Sequence, residues 1–175
     1  MPEIESLSAI RDFVETGGDV LVVIAAVTVL MWTLIVERFW YFHGAYRRER
    51  LLVREAWAAR AERSSWYAHQ IRREMISQTR LKLTSGLQMI RTIVMVCPMF
   101  GLLGTVTGMI EVFDVMAMSG SGNARGMAEG VSKATLPTMA GMVAALSGML
   151  FSLQLDNFAR EETERVADQL EVSHE

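Results

Sequence analysis

The chain has 175 residues, about the length of one domain. It is 51% hydrophobic and 21% charged, with the apolar residues gathered in three blocks and the charges crowded between them, a segregation that favours a membrane protein over a soluble one. The formal net charge of −3 gives no sign of a nucleic-acid partner, and the lone Cys97 excludes an internal disulfide and a cysteine-based zinc site.

The leading segment, residues 1–19 (MPEIESLSAIRDFVETGGD), is acidic and lacks the basic start of an export signal. It is therefore expected to stay in the mature protein. Val20–Val36 (VLVVIAAVTVLMWTLIV) is uncharged and predicts a first transmembrane helix over 20–40. Trp32, Trp40, Tyr41 and Tyr46 near its inner end suggest an aromatic belt. Residues 41–86 form a basic segment in which Ala45–Leu83 mixes Arg, Glu, Ala and Leu without proline or glycine, so it predicts helix. Thr92–Ile110 (TIVMVCPMFGLLGTVTGMI) is again uncharged and predicts a second span over 87–112. A loop over 113–132, containing MSGSGNARG, leads to a third span over 133–155, whose core Ala134–Leu155 reads ATLPTMAGMVAALSGMLFSLQL. At 1.5 Å per residue these uncharged runs of 17, 19 and 22 residues cover most or all of a hydrocarbon core ~30 Å thick. The Glu-rich tail, 156–175, follows without a helix breaker. Two readings of it stay open: it continues the third span and lies against the basic segment, or both are solvated faces.

Lys and Arg placement sets the orientation, because basic residues close to a span resist translocation. Ten of them lie between Tyr41 and Gly86, against Arg11 before the first span and Arg125 and Lys133 between the second and third. The expected fold is an all-α integral membrane protein with three transmembrane helices. Its N-terminus and short loop are outside, its C-terminus is cytoplasmic, and long helices extend into the cytoplasm.

The third span places Ala134, Thr138, Gly141, Ala145, Gly148 and Ser152 at spacings of three and four, one stripe of small residues. Such a stripe lets two helix backbones approach closely in lipid. The second span has its counterpart in Gly101, Gly104, Thr105 and Gly108. Gly101, Gly104, Gly108, Gly141, Ala145 and Gly148 are thus candidate packing positions. The threonines have a plain alternative, bonding a carbonyl one turn back and serving packing only. Hydroxyls do not titrate near neutral pH, and a proton relay in a membrane needs Asp, Glu or His. None of these occurs in the three uncharged runs. A proton-moving role therefore requires another chain to supply the acid. The thirteen methionines are read as packing material without a metal. No phosphate loop, nucleophile with a base, or catalytic carboxylate pair is evident, so neither an enzyme nor a cofactor is expected.

CPMFGLLGTVTGMIEVFDVMA, then GVSKATLPTMAGMVAALSGML, with IVERFWYF after the first span, resembles the MotA/TolQ/ExbB proton-channel family, most closely short-form ExbB proteins. The resemblance covers nearly the whole chain and keeps its span order. It implies a multi-pass subunit of the bacterial inner membrane, in a homo-oligomeric ring, commonly a pentamer, around the spans of an ExbD-like single-span partner carrying an essential aspartate. It also implies that proton motive force is converted into work on a TonB-like protein for import of ferric siderophores or cobalamin. By motif position Thr105 and Thr138 match the family's two pore threonines, and Thr135, one turn from Thr138, would extend that polar track. Many relatives place a glutamate where this chain has Lys133, which reverses the charge at the pore mouth; Glu129 lies one turn away. The alternatives are a TolQ-like subunit for envelope constriction, a MotA-like role disfavoured by the short middle segment, and a passive membrane scaffold.

Overall fold

The computed structural model describes residues 2–60, 62, 65–119 and 124–170, without the side chains of 2–16, Arg47, Ser119, Ala124, Arg125 and Glu129. Loop residues 120–123, the side chain of Glu129 one turn from Lys133, and the last five residues of the tail therefore lie outside the description. Every regular element among the described residues is an α-helix: α1 (Pro2–His43), α2 (Ala45–Ala58), α3 (Trp66–Thr84), α4 (Leu87–Ser119) and α5 (Ala124–Gln169). Of these, α1, α4 and α5 are long and apolar enough to cross a membrane.

Helix ends follow local chemistry. Within α1, Gly18 takes φ 68° and ψ −171°, a backbone state open to glycine, so two helices meet there. The leading segment before it is itself helical. Gly86, at φ 78°, turns the chain between α3 and α4. The helical segment expected over 45–83 consists of two helices that part between Ala58 and Trp66. No glycine or proline marks this break; Ser65 caps α3 by accepting from the Ala68 N–H at 3.3 Å.

The chain divides into two compact units, Met1–Trp32 with Thr92–Met149, and Thr33–Arg91 with Leu150–Glu175. In the first, Leu21, Ile24 and Met31 of α1 are buried, as are Cys97 of α4 and Ala144 and Ala145 of α5. Val27 and Ile93 pack against the last three. Val22, Leu30, Leu102, Val106, Val143 and Leu146 remain exposed. An outward apolar surface of this kind suits lipid or another apolar chain, since in water it would be a liability.

The second unit is a helical bundle closed by the α5 extension. Trp57, Ala68, Val166 and Leu170 form its core, with Val53, Met75 and Ile76 against them. Phe42 stacks on Phe158 at 5.0 Å between centroids. Arg72 donates to the carbonyls of Leu170 (2.6 Å) and Ala167 (2.7 Å), satisfying groups that the end of α5 leaves without helical partners. Glu162 is only 4% exposed and pairs with Arg50 at 3.1 Å and Arg165 at 2.6 Å. The tail thus lies against the basic segment rather than being a solvated face. Tyr46, placed in the aromatic belt by sequence, is buried in this unit instead. Burial, together with the Glu162 charge, pushes its phenol well above the usual tyrosine range.

Candidate functional site

The hydroxyls of the first unit lie on α1, α4 and α5, and most are turned back on their own helices. Thr105 donates to the Leu102 carbonyl at 2.7 Å, Thr135 to Ser132 at 2.8 Å and Ser147 to Ala144 at 2.8 Å. Thr107 shares its proton between the carbonyls of Leu103 and Gly104, both at 3.1 Å, and Thr28 donates to Ile24 at 2.7 Å. Thr138 differs: it donates across to the Gly101 carbonyl of α4 at 2.8 Å. Gly101 and Thr105 are four residues apart on one helix face. The α5 threonine is therefore tied to the turn of α4 next to Thr105.

Glycines make that approach close enough. A Cβ on Gly101 would lie 2.9 Å from the Thr138 Cα, and one on Gly108 would lie 2.6 Å from the Ala134 Cβ. A Cβ on Gly104 would run into the Pro137 ring. From the α5 side, a Cβ on Gly141 would meet the Cys97 carbonyl at 2.7 Å, and one on Gly148 would meet Val94 at 2.7 Å and Met31. Ala145 is 9% exposed and joins the cluster with Cys97 and Ala144. All six candidate packing positions thus sit where helices of the first unit touch.

Chemically, this wall offers hydrogen-bond acceptors and no group that takes up or releases a proton near neutral pH. A threonine that donates its hydrogen to a carbonyl keeps oxygen lone pairs, so it can accept from water or from a protonated carboxyl. It cannot itself titrate near neutral pH. Thr105 and Thr138 are partly buried in the single chain, and Thr135 is exposed.

Beside the Gly18 kink of α1 is a cleft of about 410 Å³ lined by Asp19, Gly104, Thr107, Glu111 and Lys133, among others. Lys133 pairs with Glu111 at 3.3 Å. The residue that reverses the expected charge is therefore partnered across the α4–α5 hairpin. Its sequence signal is positional: Glu111 ends one uncharged run, Lys133 precedes the next, and a hairpin brings such ends together.

The MotA/TolQ/ExbB proton channel family matches residues 45–168 of the chain. Among similar proteins, the biopolymer transport protein ExbB-like 1 of Synechocystis sp. is 35% identical over 89 residues, which is 45% of this chain and 35% of that protein. ExbB-like 3 of the same organism is 38% identical over 76 residues, covering 39% and 36% respectively. The biopolymer transport protein exbB1 of Vibrio cholerae is 38% identical over 72 residues, covering 41% and 32%. The matched stretch spans about a third of each relative's length. The family match covers most of the chain and takes in α4 and nearly all of α5, which carry Thr105, Thr135 and Thr138. This chain belongs to the MotA/TolQ/ExbB proton channel family.

Proposed function

We propose that the chain is an ExbB-like subunit of an inner-membrane motor that turns proton flow into work on a TonB-like protein. The carrying observation is that a proton-channel family member has hydroxyls but no Asp, Glu or His in its three uncharged runs. Protons cannot hop through that wall alone, so an intramembrane carboxylate comes from a second chain. In this reading several copies, commonly five, form a ring around the spans of an ExbD-like single-span partner. Its aspartate faces Thr105 and Thr138, with Thr135 extending the polar track. The basic segment and α5 extension lie in the cytoplasm and the α4–α5 loop in the periplasm, in line with the Lys and Arg distribution. The work serves uptake of scarce nutrients such as ferric siderophores or cobalamin through outer-membrane receptors. The chain acts as a transport subunit rather than an enzyme. The names of the similar proteins favour this reading over a TolQ-like role in envelope constriction.

The test is co-purification. Affinity-tagged protein, extracted in mild detergent from its own membranes, is expected to bring down a single-span protein with an aspartate inside its apolar segment. Recovery of a homo-oligomer alone, in an extract where that single-span protein is present, contradicts the proposal.

A further inference from the structure

Away from the hydroxyl wall, the second unit contains a cavity of about 550 Å³ rich in arginine. It is bordered by the end of α3, the start of α4 and the α5 extension. Arg80, Arg91 and Arg160 line it, with Asp156 and Glu164 as its acids, so the wall carries one positive charge in excess. Arg91 is engaged with Asp156. Arg80 and Arg160 have no ion-pair partner among the described residues. Two unpartnered guanidinium forks in one concave, polar wall make an anion site, because such forks suit the paired oxygens of a phosphate.

The cavity's place in the chain says where the phosphate comes from. Arg91 immediately precedes the uncharged run Thr92–Ile110, and Asp156 immediately follows Ala134–Leu155. The cavity therefore starts where the apolar runs stop, which is headgroup level for helices that cross a bilayer. Basic pockets at the ends of membrane helices are suited to acidic phospholipid headgroups. Thr84 and Thr163 add hydroxyl oxygens to the same wall. Each donates to its own helix, at 2.8 Å to Arg80 and 2.7 Å to Ala159, and keeps lone pairs for headgroup hydroxyls.

We propose that Arg80 and Arg160 hold the phosphate of an anionic phospholipid such as phosphatidylglycerol, with the Arg91–Asp156 pair completing the wall. One net negative charge balances the excess positive charge, whereas a zwitterionic headgroup leaves it unbalanced. The proposal rests on the chain crossing a membrane and not on proton coupling, so it stands or falls separately from the functional reading above.

Native mass spectrometry of the full chain, released from bilayers of equal phosphatidylglycerol and phosphatidylcholine, tests it. Wild-type protein is expected to retain phosphatidylglycerol preferentially. Arg80→Gln with Arg160→Gln should lower that retention about tenfold or more, since charge-assisted hydrogen bonds to the phosphate are lost. The charge-matched pair Arg54→Gln with Arg73→Gln, outside the cavity, should keep it. Arg80→Gln alone should fall between, which provides a second reading should the double variant fold poorly. Equal retention by wild type and the cavity variants overturns the proposal. A thermal shift of the wild type by inorganic phosphate in phosphatidylcholine-only bilayers, absent in the double variant, overturns the lipid source and assigns the cavity to a soluble anion.

Discussion

On the proposed reading, Thr105→Val should lower proton-driven nutrient uptake by up to about tenfold while leaving folding intact, the size expected for losing one hydrogen bond between uncharged groups. Valine has nearly the shape of threonine. The hydroxyl it removes donates only within its own helix, to Leu102 at 2.7 Å. The structural cost is thus small, and what disappears is an acceptor for water or for the carboxyl of the proposed partner. Thr138→Val is a less clean change, because it also removes the bond to Gly101 that ties α5 to α4. Such bonds between membrane helices average about 0.6 kcal/mol, so part of any loss there would be structural. Thr105→Ser should restore most uptake. Growth on a receptor-imported iron chelate, measured beside co-elution with the single-span partner, separates the readings. A passive scaffold predicts unchanged growth in Thr105→Val.

The largest loss of stability is expected from Gly104→Val. Any Cβ at this position meets the Pro137 ring and stands 3.3 Å from Val20. Pro137 is among the most fully buried side chains and is rigid, so it cannot swing aside. Relief comes only by parting α4 from α5. Overpacking of this kind costs about 1–3 kcal/mol, and parting the helices also stretches the Thr138–Gly101 bond. Thermal unfolding in detergent should show a lower midpoint, with Gly104→Ala intermediate. A wild-type midpoint in Gly104→Val would mean that α4 and α5 do not meet there.

The sequence and the structure agree where a signal is carried by many residues at once. Three long uncharged runs mark the three apolar helices, because hydropathy sums over a whole span. The α5 stripe was legible for a similar reason: six small residues recur at helical spacing, and five of them, Ala134, Gly141, Ala145, Gly148 and Ser152, are buried. Features resting on single residues were harder to read. The break before α3 depends on one serine cap in a stretch of good helix formers. Thr105, Thr135 and Thr138 look alike in sequence. Only the glycine-set separation of α4 and α5 makes Thr138 the one whose hydroxyl reaches the neighbouring helix. The Lys133–Glu111 pair was hidden because a contact between helices depends on their rotation and offset, which no local pattern encodes. Charge pattern left the tail undecided for the same reason, since the burial of Glu162 between Arg50 and Arg165 is tertiary.

The most direct measurement is proton flux into liposomes holding the purified subunit alone or together with the proposed single-span partner. An imposed potential should drive no protonophore-like current through the subunit by itself. The complete assembly should conduct, and conduction should vanish when the partner's intramembrane aspartate becomes asparagine. Sustained, proton-selective current through this chain alone would contradict the claim that its hydroxyl wall works with a borrowed acid.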